Sequence, residues 1–131
     1  MSLQQSGDSL SFPSANASLR RGRVVRLNGS GQVLYPDTLA DDKVPIGITL
    51  EDAAEQGDAV TVAINGVVMV ECYENVVQGH MVYANHLQNG RINDLASWSG
   101  TSEHCIGFAL ESGSAGEFIP VLISRQVRVD S

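Results

Sequence analysis

The sequence has few of the residues from which active sites and disulfide frameworks are built. Its 131 residues include two cysteines, three histidines and only 5% aromatic residues. Two cysteines make no disulfide framework, and both Cys72 and Cys105 lie in apolar runs, where a free thiol behaves as a small hydrophobic residue. We therefore expect two buried thiols, with a single disulfide as the alternative, and a core built from Val, Ile, Leu and Ala.

Long hydrophobic runs are also absent. The most apolar stretch, Val60–Val70, contains Thr61, Asn65 and Gly66 and is too short to span a bilayer. The first eight residues have no basic region followed by an apolar run, so we predict no secretory signal. We expect no membrane partner.

Positive charge is scarce in the middle of the chain, whose net charge is −7. Between Leu27 and Ser124 only Lys43 and Arg91 are basic, whereas phosphate binding needs a continuous basic surface, so no nucleic-acid partner is predicted. The other six of the eight basic residues lie nearer the two ends of the chain: Arg20, Arg21, Arg23, Arg26, Arg125 and Arg128. They predict either a patch for an acidic partner surface or solvated arginines that protect strand edges from aggregation.

The reactive side chains do not form a recognisable site. His104 and Cys105 are adjacent and would point to opposite faces of a strand, and His80 and His86 lack zinc-ligand spacing. No nucleophile elbow, phosphate-binding loop or dinucleotide fingerprint occurs. We therefore predict no catalytic residue, no metal site and no cofactor.

What the chain does contain is an internal repeat of glycines and β-branched residues. Residue numbers differ by 57 between Gly22 and Gly79 and by 60 between Ile46 and Ile106. The matching segments are Gly22–Val25 with Gly79–Val82, Ile46–Glu51 with Ile106–Glu111, and Gly57–Ile64 with Gly116–Ile123. A repeat that keeps turns and apolar strands but no reactive side chain indicates a scaffold rather than an active site.

Short glycine-punctuated β runs predict an all-β domain over residues 21–131, with pseudo-repeats at about 22–73 and 79–129. Gly47 and Gly107 are expected to mark a bend or a close backbone approach. Asn65-Gly66 predicts a hairpin that is apolar on both faces and so needs a second cover, either another sheet or another subunit. The oligomer-interface candidates are Ala63, Val68, Val70, Arg125 and Arg128.

Residues 1–20 form no sustained apolar period, and we expect an extended arm that is disordered alone or ordered only against another surface. Its larger apolar residues, which would anchor it, are Leu3, Leu10, Phe12 and Leu19. The stretch from Leu95 to Glu103 predicts a loop with one helical turn. Within it, Trp98 packs locally, forms a sugar-stacking platform or anchors an interface.

The pattern from Gly22 to Val68, with VPIGITLEDAA at Val44–Ala54, resembles small capsid decoration (cement) proteins of tailed bacteriophages. The weaker copy, from Gly79 to Ile123, extends this resemblance to about four fifths of the chain. The resemblance implies a small β-barrel or β-tulip, a homotrimer, and a non-enzymatic protein of the virion that is assembled in the host cytoplasm. It also implies binding to the major capsid protein on the outer surface of an icosahedral head, whose shell the protein would stabilise.

On this interpretation the arm and the basic residues of Arg20–Arg26, which we call the first basic cluster, make the shell contact. The capsid-binding candidates are Leu3, Leu10, Phe12, Leu19, Arg20, Arg21, Arg23 and Arg26. Three alternatives stay open: a virion head-fibre or glycan- and receptor-binding β module that uses Trp98 and the polar loops, an unrelated β scaffold, and an enzyme.

Overall fold

The computed structural model describes residues 7–16, 18–36, 44–85, 88–97 and 102–129, with only the backbone described at residues 97, 102–103 and 126–129. Within these ranges the fold is all-β, as predicted, with one 3₁₀ turn at Leu95–Ser97 that confirms the predicted helical turn. The strands are β1 Ser9–Pro13, β2 Val24–Leu27, β3 Val33–Leu34, β4 Pro45–Thr49, β5 Ala59–Ala63, β6 Val67–Glu71, β7 Met81–Ala84, β8 Ile92–Asp94, β9 Ser102–Ala109 and β10 Phe118–Val129. None of the described segments is a helix that could cross a membrane.

The ten strands form two antiparallel sheets of five. The strand order is β1-β5-β4-β2-β3 in the first sheet and β6-β10-β9-β7-β8 in the second. The sheets are arranged as in a β-sandwich and do not close into the predicted barrel, because each sheet keeps two edge strands, β1 and β3 or β6 and β8.

Each sheet is one copy of the repeat, and the repeat therefore begins at β1 rather than at Gly22. The N–H of Ser14 donates to the Asp58 carbonyl at 2.9 Å, and the N–H of Cys72 donates to the Glu117 carbonyl at 2.8 Å. A second equivalent pair of bridges joins Leu19 to Ala53 and Val76 to Gly113. We call residues 8–64 the first half and residues 66–123 the second half.

The hairpin predicted at Asn65-Gly66 is wrong. Gly66 does adopt the positive φ (88°) of a turn, but β5 pairs with β1 and β4, and β6 pairs with β10. The turn passes the chain from one sheet to the other. A strand that is apolar on both faces does not specify its partner by alternation, and here a neighbour distant in sequence provides the pairing.

The extended arm over residues 1–20 is not confirmed. Ser9–Pro13 pairs along its whole length with β5, and Leu19 is buried. This segment is ordered against the chain's own first sheet, so no second molecule is needed to explain its order. Residues 1–6 lie outside the described residues.

The two faces of each sheet have different covers. We call front the face with Val24, Ile48 and Ala63 in the first sheet, which are aligned by strand register. Register aligns Met81, Phe108 and Leu122 in the same way on the front face of the second sheet. The opposite faces, which carry Val25 and Val62 in the first sheet and Val82 and Val121 in the second, are called back.

The larger core cluster packs the front face of the first sheet on the back face of the second. From the first half it contains Val24, Ile48 and Ala63, together with Leu50 at its margin. Its members from the second half are Val68, Val70, Cys72, Val76, Val82, Ala84, Ile92, Ile106, Ala109, Ile119, Val121 and Ile123. A smaller cluster covers the back face of the first sheet with Leu19, Ala53 and Tyr35.

Gly47 and Gly107 are confirmed as sites of close backbone approach. A Cβ atom at Gly47 would overlap the carbonyl oxygen of Ala63, and one at Gly107 would overlap that of Leu122. Both glycines sit beside a register shift, between β2 and β4 in the first sheet and between β7 and β9 in the second. The repeat keeps both glycines because the adjoining strand leaves no room for a side chain.

Replacement of Gly47 by alanine should lower the free energy of unfolding by about 2 kcal/mol or more, because the methyl group displaces the β5 backbone. Urea unfolding followed by circular dichroism measures the change. Gly29→Ala is the matched control, since nothing lies within 4 Å of a Cβ there. Equal stabilities of the two variants would contradict the packing described for β4 and β5.

Candidate functional site

The segment that carries the first basic cluster has a fixed backbone just before β2. The buried Thr49 hydroxyl donates to the carbonyl oxygen of Arg20 at 2.6 Å and accepts from the N–H of Arg23 at 3.1 Å. The N–H of Arg21 donates to Asp52 Oδ1 at 2.8 Å. These hydrogen bonds fix the backbone of the three arginines, while their side chains have different surroundings.

Arg23 is part of an ion network that joins the two halves. Its Nη2 lies 2.9 Å from Glu71 Oε1, and its Nη1 donates to the Asn89 carbonyl at 3.2 Å. Arg91 approaches the other carboxylate oxygen of Glu71 at 3.7 Å and lies over the Tyr73 ring, 5.1 Å from its centroid. Arg23 and Glu71 are mostly buried. The charge of Arg23 is therefore used inside the protein.

Arg20 and Arg21, in contrast, are exposed. The N–H of Arg20 donates to the Tyr35 hydroxyl at 2.7 Å. Both this hydrogen bond and the one from Thr49 hold the backbone of Arg20 and not its guanidinium group. The Arg21 guanidinium lies over the Phe118 ring, with its Cζ 4.8 Å from the centroid. Stacking of this kind orients a guanidinium without neutralising its charge.

An open hollow of about 210 Å³ lies beside Arg20. Its volume is below the range usual for small-molecule sites, so it suits a protein side chain better than a cofactor. The hollow is lined by Ser18, Leu19, Arg20, Asp52, Ala53 and Ala54.

The remaining capsid-binding candidates are distributed over the first sheet. Leu10 is exposed on β1, Phe12 is half-buried on the same strand, and Leu19 is fully buried in the smaller core cluster. Arg26 is half-buried on β2. Leu3 lies outside the described residues. The structure thus brings Leu19 and Arg20 together at the hollow and leaves Leu10 at the edge of the sheet.

Three of the oligomer-interface candidates are core residues of a single chain. Ala63, Val68 and Val70 belong to the cluster between the two sheets, so the second cover that the sequence required is the chain's own other sheet. The argument that assigned them to an interface therefore loses its basis. Arg125 is exposed, and its Nη1 donates to the Ile46 carbonyl at 3.4 Å, whereas the side chain of Arg128 lies outside the described residues.

The cysteines are free and buried, which confirms the first expectation for them. Burial, assisted by the charges of Glu117 and Glu71, raises the pKa of the Cys72 thiol to about 11, so the reactive thiolate is scarce at neutral pH. Within the described ranges, no group of three or more His, Cys, Asp and Glu side chains is placed to hold a metal ion.

Sequence reasoning missed one charged cluster, centred on Asp94. His80 Nδ1 lies 2.9 Å from both carboxylate oxygens, and the N–H groups of Val77 and Ala96 donate to them at 3.0 and 2.9 Å. His80 and Asp94 are 14 residues apart, just before β7 and at the end of β8, and no sequence motif links them. This cluster fixes the turn before β7.

Burial acts to raise the pKa of Asp94. The hydrogen bonds from Ala96, His80 and Val77, together with the charge interaction with His80, outweigh burial and lower the pKa below its usual value. A lowered pKa in the folded state means that the ionised carboxylate stabilises the fold above its unfolded pKa, and that this stability is lost as the pH falls through the folded pKa.

Asp94→Asn should therefore reduce the free energy of unfolding by about 1–3 kcal/mol at pH 7. The difference from the wild type should narrow below about pH 4, the usual pKa of an Asp in an unfolded chain, because the proton then binds more readily to the unfolded state than to the folded one. Urea unfolding at pH 7 and pH 3 measures both values. Glu55→Gln, at an exposed position, is the control and should change stability by less than about 0.5 kcal/mol. A difference for Asp94→Asn that is the same at both pH values would contradict the role of ionised Asp94.

Glu71→Gln should destabilise the fold by about 1–3 kcal/mol, because it leaves the mostly buried Arg23 without a charged partner. The melting temperature measured by differential scanning calorimetry should fall accordingly. The same replacement at exposed Glu111 should leave the melting temperature almost unchanged. Equal effects at the two positions would show that the network contributes nothing to stability.

The fold has a counterpart among solved structures. The chain is similar to the crystal structure of the N base of head fibre gp8.5 from bacteriophage phi29, with a TM-score of 0.65 and 15% identity, covering 89% of this chain and 95% of that chain. At this identity the likeness shows the fold alone. The comparison with curated proteins gives no significant match.

A family model described as phage cement protein matches residues 4–123, a range that includes both halves and the segment with Arg20 and Arg21. The resemblance inferred from the glycine and strand pattern is thereby confirmed. Proteins of this family are structural components rather than enzymes. The chain therefore belongs to the phage cement protein family, and it is a capsid-associated structural protein of a phage virion.

Proposed function

We propose that this chain binds the outer surface of an icosahedral phage head as a homotrimer, contacts the major capsid protein and stabilises the shell. The observation that carries the proposal is the family match over residues 4–123. A protein that binds the assembled shell and not its separated subunits stabilises the shell by mass action. The catalytic chemistry of an enzyme is not required for this role.

We propose Arg20 and Arg21 as the direct contacts within the candidate set. Their backbone is held by Thr49, Asp52 and Tyr35, while their side chains are exposed. Leu19 and Arg23 act indirectly on this proposal, because their side chains are used to hold the segment in place. Leu3, which precedes the described residues, stays a predicted contact.

The arithmetic of avidity suits two exposed arginines. One exposed ion pair contributes only about 0.2–1 kcal/mol, which is too little to hold a protein on a surface. A homotrimer would present six such guanidinium groups to neighbouring capsid subunits at once, and linked weak contacts add to a strong attachment. The proposal therefore expects attachment that weakens with salt.

The double variant Arg20→Gln with Arg21→Gln should bind purified heads that lack this protein at least roughly tenfold more weakly than the wild type. Co-sedimentation of heads with a concentration series of the protein measures the affinity. The matched control is the double variant Arg20→Lys with Arg21→Lys, which keeps both charges and should retain most of the binding. Undiminished binding of the glutamine variant would overturn the assignment of these two arginines.

A second candidate function is that of a head-fibre base or receptor-binding module, which the fold shared with the phi29 head-fibre base favours. Such a module would be expected to recognise a host glycan. A glycan array separates the two candidates, because a cement protein should bind no sugar preferentially. In addition, a cement protein added to heads that lack it should raise the temperature at which those heads release their DNA.

A further inference from the structure

Equivalent positions on the front faces of the two sheets differ sharply in exposure. Ala63 in the first sheet is 4% exposed, while its counterpart Leu122 in the second sheet is 40% exposed. Val24 and Ile48 are fully buried. Their counterparts Met81 and Phe108 are only half-buried, and the neighbouring Leu110 is 37% exposed. At these positions the front face of the second sheet lacks the cover that its equivalent has, whereas Val67 and Pro120 on the same face are buried.

The back faces show the opposite asymmetry. Leu10 in the first half is 51% exposed, against 4% for its counterpart Val68, and Leu27 is 41% exposed, against 8% for Ala84. The same direction holds for two further pairs, Ile46 with Ile106 and Ile64 with Ile123. The back face of the first sheet is therefore covered less completely than that of the second: Val25 and Val62 at its centre are buried, while the four residues of the first half just named are exposed or half-buried.

One contact explains both asymmetries. Within the chain, the front face of the first sheet lies on the back face of the second. This contact uses one front face and one back face. The other front face and the other back face have no second sheet over them among the described residues, and the cluster of Leu19, Ala53 and Tyr35 on the back face of the first sheet leaves Leu10 and Leu27 exposed. The two faces without a second sheet are, by the repeat, the same two kinds of surface that already pack together inside the chain.

We propose that the front face of the second sheet binds the back face of the first sheet in a neighbouring copy of this chain, repeating between copies the contact that each copy makes within itself. The contact is head-to-tail, and such contacts close into a ring when the rotation between copies permits it. The inference rests on the homotrimer of the proposed function: three copies with two sheets each would make a ring of six sheets in which all front faces are covered.

The turn between β2 and β3 supplies independent support. In the second half, the equivalent turn places Gly90 against the first sheet, where its carbonyl accepts from the N–H of Val24 at 2.9 Å and a Cβ would overlap the Val24 backbone. Gly31 has nearly the same φ, 79° against 77°, but nothing lies within 4 Å of a Cβ there. In the ring, Gly31 meets the start of β7 in the next copy, as Gly90 meets the start of β2.

The polar margin of the internal contact is not repeated between copies. The counterpart of Arg23 is His80, which binds Asp94 of its own sheet, and the counterpart of Glu71 in the strand register is Pro13. The contact between copies is therefore apolar, without the ion pair that fixes the internal one. We expect an oligomer that dissociates reversibly on dilution while each chain stays folded.

The experiment separates a head-to-tail contact from a symmetric one. Leu122→Lys blocks the front face of the second sheet, and Leu27→Lys blocks the back face of the first. Each variant alone should be a monomer of 13.9 kDa by native mass spectrometry, where the wild type is a trimer. A mixture of the two should form a dimer with one copy of each and nothing larger, because only one matching pair of faces remains. Val77→Lys, at an exposed site in a turn outside both faces, is the control and should remain trimeric.

Every result bears on the proposal. If fronts paired with fronts, Leu27→Lys would oligomerise as the wild type does, and the proposal would fall. Trimers in both variants would also overturn it, while leaving a homotrimeric cement function intact. A ring that forms as described but does not bind heads would instead reject the proposed function alone. Circular dichroism checks folding, and Leu10→Lys and Leu110→Lys replace a variant that does not fold.

Discussion

The packing of the first sheet on the second is the contact on which the rest of the structure depends. Among the described residues no α-helix covers either sheet, so each needs another sheet on at least one face. The chain meets this need with its own duplicate. Burial of Val24, Ile48 and Ala63 between the sheets joins the halves into a single unit, and the ion network of Arg23 with Glu71 fixes their relative position at the margin.

The same contact between the sheets explains why the arginines of the first basic cluster have different roles. Arg23 lies where the two halves meet, and its charge is neutralised there. Arg20 and Arg21 precede it by only a few residues, yet they remain at the surface, on the short segment between the buried Leu19 and the start of β2. A run of basic residues that looks uniform in sequence thus becomes one structural arginine and two available ones.

Local patterns predicted the composition of the fold well and its pairings less well. The all-β class, the close approach at Gly47 and Gly107, the repeat and the buried thiols follow from side-chain size and turn chemistry, which are properties of short segments. The partner of β5 does not, because Asn65-Gly66 suits a hairpin and a transfer between sheets equally. The fold alone brings His80 and Asp94 together, and their spacing in the sequence does not predict this contact.

The first strand was misread for a related reason. Its sequence resembles that of a solvated tail, and in the structure Phe12 is the one residue of β1 that is partly buried. Its counterpart β6 occupies the same place in the second sheet with buried Val67, Val68 and Val70. Topology makes the two strands equivalent, while burial makes them unequal. Because the free energy of a local opening follows the apolar contact it breaks, β1 can detach from its sheet at much lower cost than β6. Amide hydrogen exchange would record this as two duplicated strands with very different protection.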